Sequence, residues 1–210
     1  MINLTYLWKR IRNLDTLLLI LVVIVACMYF VLNVPTASLN VLRTFIDDSI
    51  PRLSLFAIPY LLFIPWFWAI ILCVWYRNRS FRQLAFATII VNLIAFFVYV
   101  VFQTYIPREV VSSSDIFSGL LNFIYTNDQP YNGFPSLHSA LSAVVATYFV
   151  LTKSTWARAF VSMAILIVVS TLLVKQHFVL DAISGVTLGV VTTWLIFHFM
   201  PVQKPSIDNN

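Results

Sequence analysis

The sequence predicts an all-α fold, a bundle of six transmembrane helices with both termini on the cytoplasmic side. Three observations predict it: a large excess of apolar over charged residues, six charge-poor runs near spanning length, and an uneven distribution of Lys and Arg between them. Apolar residues make up 60% of the 210 residues and charged residues only 10%, and the mean hydropathy is +0.90. A water-soluble domain carries about 25% charged residues to cover its surface, so this chain requires an apolar solvent. Crossing roughly 30 Å of hydrocarbon takes about 20 helical residues.

The charge-poor runs lie at about 14–34, 53–76, 83–105, 138–152, 158–175 and 180–200. Together they predict a single membrane domain over 1–201, followed by a polar tail at 202–210. The cluster Lys9-Arg10-Ile11-Arg12 ahead of an apolar run imitates a secretory signal. The run over 16–33 exceeds a typical signal core, and Pro35-Thr36-Ala37 is a poor cleavage site, so the expectation is an uncleaved first span. Trp8, Trp66, Trp68, Trp75, Tyr76, Trp156 and Trp194 cluster near run ends, where aromatic rings anchor at membrane interfaces.

Six spans place Lys9, Arg10, Arg12, Arg77, Arg79, Arg82, Lys153, Arg158 and Lys204 on one side, nine in all. Arg43, Arg52, Arg108 and Lys175 are the four on the other. The positive-inside rule then makes the first side cytoplasmic. Asp47, Asp48, Glu109, Asp115, Asp128 and Asp181 all fall on the outer side. The net charge of +5 does not indicate nucleic acid, because the basic residues form no stripe on a reading element. Cys27 and Cys73 lie inside apolar runs as small hydrophobes, with neither a disulfide framework nor a metal-ligand spacing.

Ionisable groups at membrane depth are costly and point to function. Three such groups emerge on the outer face: Pro107-Arg108, Gly133-Phe134-Pro135-Ser136-Leu137-His138-Ser139, and Lys175-Gln176-His177-Phe178-Val179-Leu180-Asp181. His177 and Asp181 stand at i and i+4, which on a helix puts them on one face. A carboxylate there can hold one imidazole nitrogen and leave the other free as nucleophile or base. The alternative is an interfacial His beside an Asp that caps a helix. Gly185 and Gly189 continue as a GxxxG step, which admits a neighbouring helix. Gly133, Pro135 and Ser136 can form an anion-holding turn ahead of a helix. His138 can then protonate a leaving oxygen or activate water, or it is an incidental interfacial histidine. Arg108 presents a planar fork suited to phosphate, or else meets lipid headgroups. His198, at the cytoplasmic end of the last run, carries no assigned role.

These residues resemble the type 2 phosphatidic acid phosphatase superfamily, and most closely its branch of small bacterial proteins related to inositol phosphorylceramide synthases. The second motif, Pro-Ser-x-His, stands as Pro135-Ser136-Leu137-His138. The third ends in His-x-x-x-Asp, here His177 and Asp181, with Ser170 seven residues earlier. Asp128-Gln129-Pro130-Tyr131-Asn132 and the stretch from Ile50-Pro51 to Ile58-Pro59-Tyr60 are also similar to this branch, so the resemblance covers 47–189. The first motif is incomplete: Arg108 is followed by Glu109 where the family has Pro, and the Lys that the family carries six residues earlier is missing. Thr171 stands where the third motif has Arg, and Lys175 is the candidate to replace one missing cation.

The resemblance implies metal-independent hydrolysis of a lipid phosphate or diphosphate at the outer face of the cell membrane. His177 attacks phosphorus to give a phosphohistidine, Asp181 holds its other nitrogen, and His138 acts as acid and then base. Arg108, Ser136, Lys175 and the Gly133 N–H stabilise the phosphoryl oxygens. No cofactor is implied, and the sequence offers no carboxylate cluster to hold a metal. The implied partners are a phosphorylated lipid and the bilayer, with no nucleic acid and no obligate protein partner. Two alternatives stay open: a transferase that passes the phospho-headgroup to a sugar or lipid hydroxyl, and a non-enzymatic transporter or scaffold. A transporter would place its charges near the midplane with paired broken helices, which this sequence does not show. If Lys175 supplies a missing cation, Lys175→Met weakens inorganic phosphate binding, measured by competition; unchanged affinity would remove it from that role.

Overall fold

A computed structural model describes residues 14–36, 39–77, 80–108, 110–111 and 115–201. Lys9, Arg10, Arg12, Arg79 and Lys204 from the charge count lie outside them, as do Trp8, Ala37, Glu109 and the tail 202–210. The described residues form eight α-helices and no strand. In chain order these are α1 Leu14–Leu32, α2 Phe45–Ser49, α3 Ala57–Arg77, α4 Phe81–Val101, α5 Ile116–Asn127, α6 Leu137–Leu151, α7 Ala157–Leu173 and α8 Val179–Phe199. A 3-10 turn, Ser54–Phe56, leads into α3.

Six of these helices fall on the six apolar runs. Leu14–Leu32, Ser54–Arg77, Phe81–Val101 and Val179–Phe199 are long and apolar enough to cross a membrane. Leu137–Leu151 and Ala157–Leu173 are shorter apolar helices. At 1.5 Å per residue they reach only about 22 and 25 Å, which leaves room at their ends for non-helical chain. The sequence did not predict α2 or α5. The five residues of α2 are too few to show a period. Helix α5 is capped by Asp115, whose side chain accepts from the N–H groups of Phe117 and Ser118.

Burial follows a pattern that makes sense only in an apolar solvent. Along α1, Leu18, Val22 and Val25 are buried at helical spacing, while Leu17, Phe30 and Val31 on the other faces are more than 60% exposed. Similar apolar exposure recurs at Phe97, Val100 and Val101 of α4. So much exposed apolar area would drive association in water, and this is a membrane-embedded chain. Helix α6 lies most deeply, packed against α3, α4, α7 and α8.

Contacts sort the chain into two ends. At one, Arg82 pairs with Asp15 at 2.7 Å and Gln83 donates to the Met200 carbonyl. At the other, Asn40 donates to the Gln103 carbonyl, Leu53 to that of Leu173, and Ser136 to that of Asp181. All three polar segments singled out in the sequence meet at this second end.

Helices α6 and α8 make the closest contact in the bundle. A Cβ on Gly185 would stand 2.3 Å from the Ser136 carbonyl oxygen, and one on Gly189 2.2 Å from that of Ala140. Both obstacles are backbone, which cannot swing aside. The GxxxG step thus does what its spacing predicted, with α6 as the partner. Gly185→Ala and Gly189→Ala are each expected to cost about 1–3 kcal/mol through overpacking, read as a lowered thermal midpoint in detergent; an unchanged midpoint for both would contradict this packing.

Candidate active site

The loop before α6 is held on all sides. Asn132, with a φ of 60°, donates from its backbone to the Thr104 carbonyl. Its side-chain amide donates to the Leu32 carbonyl and accepts from Gln103. The Phe134 N–H donates to Thr104 Oγ1 and the Tyr99 hydroxyl to the Pro135 carbonyl. Ser136 caps α6, its Oγ accepting from the Ser139 N–H, and it is fully buried. It is a cap and is not among the residues that line the neighbouring cleft.

The turn between α7 and α8 is equally fixed. Ser170 and Thr171 donate their hydroxyls back to the Ile167 and Val168 carbonyls, a local bond that suits them to a helix end. The Thr171 carbonyl then accepts from both the Gln176 and His177 N–H groups. Lys175 takes a φ of 55°, which breaks the helix. Helix α8 starts only at Val179, so His177 lies outside it.

That corrects the expectation of a shared helical face for His177 and Asp181. The two still approach, with His177 Nδ1 3.7 Å from Asp181 Oδ2, too far for a hydrogen bond. Nδ1 instead lies 3.0 Å from the Gly133 carbonyl oxygen, which can only accept. A hydrogen bond there requires the proton on Nδ1, leaving Nε2 with the lone pair. Gly133 therefore meets the histidine through its carbonyl and not through the N–H expected to face phosphate. A Cβ on Gly133 would lie 2.7 Å from the end of the Ile106 side chain and 3.1 Å from Asp181 Oδ2, so a side chain here would push Ile106 aside and crowd the carboxylate. Asp181 Oδ2 accepts from the Phe178 N–H at 2.8 Å as a cap of α8, while its buried Oδ1 has no partner among the described residues. The capping alternative thus describes Asp181, and the carboxylate also stands beside the imidazole.

A cleft of about 110 Å³ opens here, lined by Arg43, Asp47, Ile106, Pro107, Arg108, Lys175, His177 and Phe178. Of the expected site residues, Arg108, Lys175 and His177 line it together. His138 is not part of this wall; its ring centroid lies 6.0 Å from that of His177.

Each cation of the wall is held differently. Arg108 donates to the Tyr125 and Asp128 carbonyls and to Gln176 Oε1, with its guanidinium over the Tyr125 ring. Burial lowers its pKa from the ordinary value, and the Asp128 charge opposes that shift. Lys175 donates to the Asp47 and Ile50 carbonyls, tying down α2. Asp47 completes the clasp, accepting from the Val179 N–H and from Thr44. Among the described residues Arg43 is bound only to Asp48, at 2.5 Å on the surface. Sequence reasoning did not find Arg43, since it belongs to no motif and reaches the cleft only because α2 folds over the start of α8.

Residues 109–205 match the family model described as the PAP2 superfamily. Over that stretch the chain is similar to it. The match contains His138, His177 and Asp181 and begins one residue after Arg108. The PAP2 superfamily indicates phosphatase-type chemistry on phosphate esters, in agreement with a cleft that joins a histidine to cations; it does not single out the inositol phosphorylceramide synthase branch. The chain finds no match among curated proteins or among solved structures.

The two arginines are expected to behave differently. Arg108→Lys keeps the charge but cannot reach three acceptors, and should lose about 1.5–3 kcal/mol of stability for the charged hydrogen bonds. Arg43→Gln breaks only an exposed pair and should stay within about 1 kcal/mol. Thermal unfolding in detergent distinguishes them, and equal losses would contradict this account.

Proposed function

We propose that this chain hydrolyses a lipid phosphate or diphosphate without a metal ion, through a phosphohistidine on His177. The observation that carries the proposal is the cleft in which His177 stands among Arg43, Arg108 and Lys175. A nucleophile and three cations around one small space suit a phosphoryl group better than any neutral ligand. Two buried donors of this region, Arg108 Nε and Gln176 Nε2, lack an acceptor among the described residues, as expected where an anion or water completes the site.

In the first step Nε2 attacks the terminal phosphorus, a P–N bond forms and the P–O bond to the leaving oxygen breaks, an ester bond in a monophosphate and an anhydride bond in a diphosphate. His138 gives a proton to that departing oxygen, of the lipid alkoxide or of the lipid monophosphate. The Gly133 carbonyl holds the Nδ1 proton, and Asp181 favours the cationic ring that forms. In the second step water attacks phosphorus, His138 takes its proton, the P–N bond breaks and inorganic phosphate leaves. Arg108, with Lys175 and Arg43 at the wall, stabilises charge on the non-bridging oxygens. Gly133 and Ser136 act by shaping the loop.

The architecture that goes with this reading is a single six-span domain of the cell membrane, termini in the cytoplasm and the cleft on the outer side. The Lys and Arg distribution supports that orientation. A site at a bundle end lets a lipid keep its tail in the bilayer while its headgroup enters the cleft.

The test is phosphate release from a panel of lipid phosphates and diphosphates in detergent with chelator present. Wild-type protein should release phosphate. His177→Ala should fall to background, and His138→Ala should lose about 10²–10⁴-fold, the usual contribution of a general acid or base. A requirement for added Mg²⁺, or activity surviving in both variants, would overturn the proposal. Headgroup exchange between lipids without phosphate release would replace hydrolysis by transfer.

A further inference from the structure

We propose that Asp128 is a positioning residue for His138, acting through Tyr60, whose ring stacks on the imidazole while its hydroxyl is tethered to the Asp128 carboxylate. The inference rests on the proton-transfer role given to His138 above.

His138 follows Leu137, the first residue of α6, and its ring nitrogens make no hydrogen bond with any described residue. Only ring contacts orient it. The Tyr60 ring stacks on it with centroids 4.4 Å apart at 25°, and Phe63 stands at 4.6 Å and 48°. The terminal torsion of a histidine is broad and nearly two-fold, so a ring held only by stacking points wherever its neighbour directs. Tyr60 is therefore the guide, and what fixes Tyr60 fixes His138.

The Tyr60 hydroxyl donates to Asp128 Oδ2 at 2.7 Å. The other carboxylate oxygen accepts from the Tyr29 hydroxyl at 2.8 Å and from Asn33 Nδ2 at 3.1 Å. Asp128 thus draws donors from α1 and α3 onto one point. Its backbone carbonyl accepts from Arg108, so one residue sets the cation through its main chain and the histidine through its side chain. Asp128 and Tyr60 both lie in stretches whose sequence is similar to the inositol phosphorylceramide synthase branch, and neither lines the cleft.

The tyrosines separate positioning from mere structure. Tyr29→Phe and Tyr60→Phe each remove one hydroxyl from the same carboxylate, but only Tyr60 touches His138. Tyr60→Phe should lower kcat by about tenfold with KM unchanged, and Tyr60→Leu, which also removes the stack, by up to about 10²-fold. Tyr29→Phe should stay within about twofold of wild type. Asp128→Ala removes three hydrogen bonds at once and is the variant most exposed to misfolding, so the proposal does not depend on it.

A readout independent of turnover is the histidine NMR spectrum of ¹³C-labelled protein in detergent, with the His138 signal assigned by its absence in His138→Gln. That signal should broaden or split in Tyr60→Phe and remain as wild type in Tyr29→Phe. A His138 signal unchanged in Tyr60→Phe, or changed equally in both variants, overturns the positioning role. Absence of wild-type phosphate release with the expected spectra would instead count against the hydrolase reading alone.

Discussion

Gly185 and Gly189 bring the backbone of α8 against the carbonyls of Ser136 and Ala140, and the candidate site is built outward from that contact. Side chains of any size would hold the two helices apart by the width of a methyl group or more. With the gap closed, the Ser136 N–H reaches the Asp181 carbonyl, and the first turns of α6 and α8 lie side by side. The loops that precede them are then forced together, which sets Gly133 against His177 and both against Asp181. In an apolar solvent little hydrophobic force pulls helices together, so close packing of small residues and backbone contacts must supply it.

Polar satisfaction then explains why so much of the bundle's site end is engaged. Backbone that leaves the helix near a membrane has few water partners and must find them within the protein. Gln103 and Asn132 meet this need for the segment after α1 and the loop before α6. Arg108 does so for the carbonyls around Tyr125 and Asp128, and Lys175 for those of α2. Two cations that sequence reasoning reserved for phosphate thus also hold the frame. The same geometry gives each polar wall residue at least one partner besides any ligand.

Much of the bundle was legible in the sequence. The apolar runs at 83–105, 138–152 and 158–175 coincide with the helices Phe81–Val101, Leu137–Leu151 and Ala157–Leu173, within four residues at each end. Apolar composition over a fixed length is a strong signal because the hydrocarbon thickness imposes it. The remaining helices were harder to see. Phe45–Ser49 is held by Thr44, Asp47 and Lys175 rather than by its own periodicity. Ile116–Asn127 carries four polar residues among its twelve, too many for a span. At the site, His177 and Asp181 stand side by side but not on the shared helix that their spacing suggested, since helix α8 begins two residues after the histidine.

By itself the sequence determined that the chain belongs in a membrane, where its apolar helices begin and end, and that three polar segments share one end of the bundle. These follow from composition and from the alternation of successive spans, which are properties of the chain read in order. Only the tertiary structure decided that Gly133, and not Asp181, holds the His177 proton, that Ser136 faces its own helix, and that Arg43 joins the cleft wall. It alone tied Asp128 to His138 through Tyr60. Each of these is a contact between residues remote in sequence, fixed within a few tenths of an ångström by helix packing. One-dimensional spacing carries no measure of that distance.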